Sequence, residues 1–172
     1  QPFFHTVPGM KEYRPQYDII RKYQERYVDK MLSISLNYPN VLYCMNNETS
    51  TDPRWGQYWM KYIDDAAAKK GVDVCVTDMF DNAYRPKESK QLHLEIDTPE
   101  LYEFIDISQI NSRNFNEDHW DVLQWIVERR KQAPPRPLNN TKIYGAGYKS
   151  FGTGGPHDGV ERMFRNIIGG CA

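Results

Sequence analysis

Three polar residues at the end of an apolar run have side chains that could do chemistry. Residues 41–45 are all apolar, and Asn46, Asn47 and Glu48 follow them directly. A carboxylate and two amides are costly to bury and add nothing to a core. In a partly apolar pocket the pKa of a glutamate rises, and its side chain can then protonate a leaving oxygen. We therefore predict Glu48 as a functional carboxylate and Asn46 and Asn47 as ligand contacts; the plain alternative is a polar loop.

Polar residues follow the later apolar runs in the same way. We add two catalytic candidates and four possible ligand contacts: Asp78 and Lys142, and Asp81, Gln109, Asn111 and Tyr144. Asp78 and Asp81 follow the same run, and the sequence does not show which of them lies nearer the site. Asp106 lies between two isoleucines, which is typical of a structural position, and its burial would require a partner such as Lys142 or Arg113.

The elements that position these residues alternate along the chain. Apolar residues at helical spacing predict helices over residues 16–36, 52–71, 88–94, 116–131 and from 158 onward. Apolar runs predict buried strands over residues 40–45 and 72–77. A third strand is predicted over 104–110, and a fourth, more polar one over 138–145. In the first helix the apolar stripe is Ile20, Tyr23, Tyr27 and Met31. Asp52 and Asp158 are the predicted N-caps of the second and last helices.

This alternation predicts an α/β fold with a parallel sheet and crossover helices. Ligands bind at the carboxyl ends of the strands in such folds, which would bring the candidate residues together. The sheet could be open and doubly wound, or part of a (β/α)8 barrel. A complete barrel takes about 250 residues, so 172 residues predict a partial barrel in a single domain over 1–172. Because the chain begins with Gln1 and ends in what resembles the start of a further strand, we expect a piece of a longer chain.

Composition narrows the classes of function. The chain has 22 basic and 23 acidic residues, which gives no electrostatic reason to expect a nucleic-acid partner. No apolar run is long enough to cross a bilayer, so we expect no membrane partner. The three cysteines, Cys44, Cys75 and Cys171, lack metal-ligand spacing and are expected to be buried free thiols. We predict no metal and no cofactor.

The order of motifs resembles a known group of enzymes. Residues 40–48, an apolar strand ending in Asn-Asn-Glu, resemble the fourth strand of the retaining glycoside hydrolase clan built on (β/α)8 barrels. The resemblance implies that Glu48 is the acid/base and that Asn47 contacts the sugar hydroxyl next to the reacting carbon. It also implies a carbohydrate substrate, and a remaining barrel half on a longer or second chain. A secreted or periplasmic location would fit, although the sequence does not fix the compartment.

One position departs from the pattern of that clan. Its nucleophile is a glutamate at the end of the seventh strand, where this chain has Lys142, and lysine cannot form the glycosyl-enzyme ester. Three hypotheses follow. The chain is a hydrolase whose second carboxylate is Asp78, Asp81 or Asp106; or it is an inactive carbohydrate-binding barrel; or, least favoured, Lys142 forms a Schiff base as in aldolases while Glu48 moves protons. Carboxylates about 5–5.5 Å apart would indicate a retaining pair, and about 6.5–9.5 Å an inverting one.

Overall fold

Helices and short strands alternate along the chain. A computed structural model describes residues 2–81, 86–111, 117–143 and 155–171. Within these residues the principal elements are α1 (Asp18–Ser35), β1 (Leu42–Cys44), α2 (Arg54–Lys70), β2 (Cys75–Thr77), α3 (Lys90–Asp97), β3 (Ile105–Asp106), α4 (Glu117–Arg130), β4 (Leu138–Asn139) and α5 (Pro156–Ile168). The predicted mixture of helix and strand is confirmed, and so is the order of these elements.

The strands form two small sheets in the described part of the chain. β1 pairs with β2, and β3 pairs with β4. The second pair is parallel, with Ile105 opposite Leu138 and Asp106 opposite Asn139. Cys171 adds a parallel bridge to Leu138, as a further strand beginning there would do. The parallel arrangement is as predicted, whereas the partial barrel stays a prediction.

The strands are shorter than the apolar runs suggest, and β1 is also more exposed. β1 and β2 have three residues each, and β3 and β4 have two. In β1 only Tyr43 is buried, while Leu42 and Cys44 are exposed, so the predicted burial is wrong for one face of this strand. Leu42 and Cys44 lie on the same face of the pleated strand, and the described residues leave that face exposed. None of the three cysteines is in a disulfide, but Cys44 is exposed and Cys75 and Cys171 are only half-buried, so the expected burial is wrong.

The chain divides into two compact units, which are described separately below. Unit 1 contains residues 1–45 and 50–76, and unit 2 contains residues 46–49 and 77–172. The single domain expected over residues 1–172 stays a prediction. No helix of the described residues is long and apolar enough to cross a membrane.

Unit 1 is built on the aromatic stripe of α2. Trp55 and Trp59 are buried against Val7 and Met10 of the N-terminal segment. The helix ends at Gly71, whose left-handed backbone (φ 72°) is favourable for glycine because it lacks a Cβ. Pro53, rather than the predicted Asp52, occupies the N-cap position; the Asp52 carboxylate instead accepts a hydrogen bond from the Arg54 N–H at 3.0 Å.

The predicted apolar stripe of α1 is not its buried face. Tyr23, Tyr27 and Met31 are exposed, while Gln24 and Leu32 are buried. Gln24 accepts a hydrogen bond from the Thr6 hydroxyl at 2.8 Å and donates one to the Phe3 carbonyl at 2.9 Å. Polar contacts therefore decide which face of α1 is buried, and the spacing of its apolar residues did not indicate these contacts.

Unit 2 has an aliphatic core between its helices and the β3–β4 sheet. Its fully buried members are Leu92, Ile96, Ile105, Ile107, Leu123, Ile126 and Leu138. The buried Arg136 closes one end of this core, where it donates hydrogen bonds to the carbonyls of Glu95 at 2.9 Å and Tyr102 at 2.6 Å. A guanidinium placed this way satisfies carbonyls at the carboxyl end of α3, which otherwise have no partner within the helix.

Candidate functional site

The segment that carries Glu48 is attached to the residues that follow β2. Thr49 forms a parallel bridge with Phe80. Its N–H donates to the Met79 carbonyl at 3.2 Å, and its carbonyl accepts from the Asp81 N–H at 3.0 Å. The ends of the first two apolar runs are therefore brought together, as the parallel arrangement predicts.

Glu48 has an unusual backbone conformation. Its φ is +54°, in the left-handed region that residues with a Cβ adopt infrequently. This conformation costs about 1–2 kcal/mol, so the surrounding hydrogen bonds of Thr49 must offset it. The side chain remains exposed. Strained residues cluster at functional sites, which makes Glu48 a stronger candidate than its sequence position alone did.

Lys142 binds Asn47 and Glu48, two of the three polar residues that follow the first apolar run. Its ammonium contacts the Glu48 carboxylate and donates a hydrogen bond to the Asn47 Oδ1 atom at 2.8 Å. This contact, followed by a hydrogen bond from Gln109, lowers the pKa of Glu48 against a smaller opposing effect of burial. Glu48 is thus a carboxylate anion in the free protein, not the raised-pKa acid that we predicted.

Asp78 holds Asn46 rather than facing solvent. The Asn46 amide donates to both Asp78 oxygens, at 2.8 and 3.0 Å, and the Met79 N–H donates to one of them at 3.0 Å. Asp78 is only 1% exposed. Burial raises its pKa to about 6, although these hydrogen bonds oppose the rise. The catalytic role predicted for Asp78 stays a prediction, but its contacts are those of a residue that positions Asn46.

A hydrogen-bonded cluster at the end of the second sheet positions Lys142. The Asn139 amide donates to Asp106 at 2.9 Å, and the Ser108 N–H donates to the same carboxylate at 2.9 Å. The Thr141 N–H donates to the Ser108 Oγ atom at 2.9 Å. Lys142 follows directly in the chain, so this cluster fixes where its side chain begins. Burial raises the pKa of Asp106, and Lys142 contributes only a weak opposing effect.

A buried carboxyl group that the sequence pattern did not indicate is that of Glu95. This residue lies on α3, and its carboxyl oxygen accepts hydrogen bonds from the Thr77 hydroxyl, at 3.2 Å, and from the Asp106 N–H. Complete burial raises its pKa well above the usual range of a glutamate, although the hydrogen bonds from Asp106 and Thr77 oppose the rise. Glu95 lies one residue beyond the helix predicted over 88–94, so its place between Leu92 and Ile96 on the buried face of α3 was not recognised.

The structure describes the remaining predicted site residues to different extents. Asp81 is exposed. Its N–H donates to the carbonyl of Thr49, the residue that follows Glu48. Gln109 is buried and contacts Glu48. Asn111 closes a short 3-10 turn, Ser108–Asn111, with its side chain outside the described set. Tyr144 lies outside the described residues altogether.

The function of the site is not identified by a metal-binding group of the described residues or by a related protein. Among the side chains that the structure describes, no group of three or more His, Cys, Asp or Glu could hold a metal ion. The expectation that the protein has neither metal nor cofactor stays a prediction. No family model, curated protein or solved structure matches the chain. The glycoside hydrolase resemblance therefore still depends on the residues alone.

Proposed function

We propose that the chain is a glycoside hydrolase-like protein in which Glu48 takes part directly in the cleavage of glycosidic bonds. The observation that carries the proposal is the exposed Glu48 carboxylate, which a left-handed backbone presents beside Asn47, Lys142 and Gln109. Amide and ammonium groups around a carboxylate can bind the hydroxyl groups of a sugar. The partner is accordingly a carbohydrate, with neither nucleic acid nor membrane involved, and further barrel strands would be supplied by a longer or second chain.

In this proposal the protonation of Glu48 changes during the reaction. Glu48 begins as an anion because Lys142 lowers its pKa. A sugar that inserts its hydroxyl groups between Lys142 and Glu48 weakens that contact and excludes water, and both changes raise the pKa of the carboxylate. Glu48 can then act as general acid/base at the glycosidic oxygen. Asn47, released from Lys142, becomes an acceptor and donor for a sugar hydroxyl.

Asp81 is the second carboxylate in this proposal. It is exposed, and its N–H is bonded to the residue that follows Glu48. Asp78 and Asp106, in contrast, are buried and accept hydrogen bonds from Asn46 and Asn139 respectively. An exposed carboxylate can activate a water molecule, which is the second role that an inverting hydrolase requires.

The test is release of reducing sugar from a panel of polysaccharides and aryl glycosides. General acid/base catalysis contributes roughly 10²–10⁴-fold to a rate. The rate of sugar release by Glu48→Gln should therefore be at least a hundredfold lower than that of the parent. Asp65→Asn is the matched control, because Asp65 is also exposed and paired with a lysine, Lys61, at 2.9 Å. Equal sugar release by the parent and Glu48→Gln would refute the catalytic role of Glu48.

A second candidate function is carbohydrate binding without hydrolysis. The contact between Lys142 and Glu48 favours it, since an anion paired with an ammonium is a poor proton donor. In this case titration calorimetry with the same panel would give a binding isotherm for the parent, with no sugar released over days. Glu48→Gln would then alter affinity alone.

A further inference from the structure

Helix α5 is oriented with its polar face inward. Asp158, Arg162 and Asn166 are 7, 0 and 4% exposed. The apolar residues of the same helix are between 50 and 74% exposed, and they form a stripe that we call the α5 face: Val160, Met163, Phe164, Ile167 and Ile168. An amphipathic helix normally buries its apolar side. The α5 face is therefore an apolar surface that the described residues leave exposed.

Contacts within unit 2 hold α5 in this orientation. The Arg162 Nε atom donates to the Asp158 carboxylate at 3.0 Å, and both side chains are buried. The polar face is close to the buried His119 of α4, whose pKa falls to about 4 because of burial first and the charges of Arg162 and Arg165 next. Reversing the helix would bury the α5 face only by exposing the buried Asp158–Arg162 ion pair.

The end of α5 is fixed to α4 by close packing. A Cβ atom at Gly169 would lie 2.3 Å from the Leu123 Cδ2 atom, a distance that no real side chain tolerates. Glycine at this position thus allows the two helices to approach. Since the helix is anchored at its end and along its polar face, the α5 face stays directed away from the core of unit 2.

We propose that the α5 face pairs with the same face of a second copy of this chain, in an antiparallel, two-fold symmetric dimer. The face is self-complementary, because Val160 and Ile168 are equally spaced on either side of Phe164. In an antiparallel pair Phe164 meets its counterpart, and Val160 of each copy lies at the level of Ile168 of the other. Such an interface is isologous and closes with two copies.

The area of the α5 face agrees with this occupant. Glu161 and Arg165 flank the face and are paired with each other at 2.7 Å, so together they bring no net charge to its edge. Burying five half-exposed apolar side chains on each copy removes on the order of 1,000 Å² in total, the lower limit for a specific interface.

The first test is the oligomeric state of the full chain, by sedimentation velocity over a hundredfold range of concentration. We expect a monomer–dimer equilibrium that Phe164→Glu shifts toward monomer by at least tenfold in dissociation constant. Tyr27→Glu is the matched control, because Tyr27 is an exposed apolar residue of α1 in unit 1. It should leave the dimer unchanged, and circular dichroism should show equal helix content in all three proteins.

Three outcomes of this test would overturn the proposal. They are a parent that remains monomeric at the highest concentration, assembly beyond a dimer, and loss of the dimer in Tyr27→Glu but not in Phe164→Glu. Because none of these measurements involves carbohydrate, the result is independent of the proposed hydrolase activity.

The second test examines the two-fold symmetry of the proposed dimer by disulfide cross-linking. In a background with the exposed Cys44 replaced by serine, Phe164→Cys should form a reducible covalent dimer under mild oxidation, since the two copies of this residue meet at the two-fold axis. Val160→Cys should not, because the two copies of that residue are about 12 Å apart along the helix axes, beyond disulfide reach. Equally fast cross-linking of both variants would rule out the antiparallel pairing.

Discussion

The side chains of Lys142 and Glu48 are in contact although 94 residues separate them in the sequence. This contact joins the end of the second sheet to the segment that follows β1. It also decides the charge state of Glu48 in the free protein, because Lys142 is the main cause of its lowered pKa. The chemistry that the site can perform depends on whether a ligand separates the two groups.

Replacing Lys142 with methionine should raise the pKa of Glu48. Met keeps most of the aliphatic stem but removes the ammonium, so only Gln109 continues to lower the pKa, against burial. The measurement is an NMR titration of the Glu48 carboxyl carbon, and the limb of any pH–activity profile that reports Glu48 should move to higher pH with it. Lys61→Met serves as the control, since Lys61 pairs with Asp65 instead. An unchanged Glu48 titration in Lys142→Met would show that the contact does not persist in solution.

Lys142 should not form a Schiff base with a carbonyl substrate. Attack on a carbonyl requires a neutral amine, whereas this ammonium is bound to Glu48 and Asn47. Incubation with a panel of aldoses and 2-keto acids followed by borohydride should leave the mass of the peptide containing Lys142 unchanged. A reduced adduct on that peptide, absent from Lys142→Met, would favour the lyase hypothesis over both carbohydrate hypotheses.

The stability of the protein should depend on Asp78 between pH 3.8 and about 6. Burial raises the folded-state pKa of Asp78 from 3.8 to about 6. The folded state therefore holds this proton more tightly than the unfolded state, and the stabilisation is complete below the unfolded pKa and lost as pH rises through 6. Asp78→Asn, which cannot titrate, should lack this part of the pH dependence.

The Asp78 experiment compares thermal unfolding midpoints of the parent and Asp78→Asn from pH 4 to 7.5. The parent should be favoured relative to the variant as the pH falls. A difference between the two midpoints that stays constant with pH would mean that Asp78 has an ordinary pKa and is not buried as described. Asp65→Asn, which changes an exposed carboxylate, controls for the loss of a negative charge.

Gly169→Ala should destabilise the packing of α5 on α4. The added methyl group would lie 2.3 Å from Leu123 Cδ2 and 2.8 Å from the Arg165 carbonyl oxygen, so the helices must separate. Overpacking of this kind typically costs about 1–3 kcal/mol, measured by chemical denaturation. Gly155→Ala is the matched control, because a Cβ at Gly155 would contact nothing within 4 Å. Equal effects of the two substitutions would argue against the close approach at Gly169.

Local sequence patterns predicted much of the fold of this chain. The helix predicted over residues 52–71 was read correctly as α2, because apolar spacing and backbone strain act over a few residues. The rotation of α1 was not, because Gln24 is held by Thr6 and Phe3, residues of the N-terminal segment that no periodicity connects to it. The apolar residues of α5 were recognised, but not that its polar residues would be the buried ones.

The residues of the candidate site also divide into those that the sequence indicates and those that only the tertiary structure reveals. Glu48, Asn47 and Gln109 could be selected from their position after apolar runs, and the structure brings them together. Glu95 could not, because its significance depends on Thr77 and Asp106, which only the tertiary structure places beside it. The lowered pKa of Glu48 was likewise unpredictable, since spacing does not show where the Lys142 ammonium ends.

The segment over residues 46–49 makes unit 2 discontinuous in sequence, since the remainder of that unit begins at Thr77. Lys142 and Glu48 therefore belong to one compact unit without belonging to one contiguous stretch of chain. A gene segment encoding residues 77–172 alone would carry the ammonium without its carboxylate partner. Recombination could transfer this site to another protein only if both stretches were inherited together.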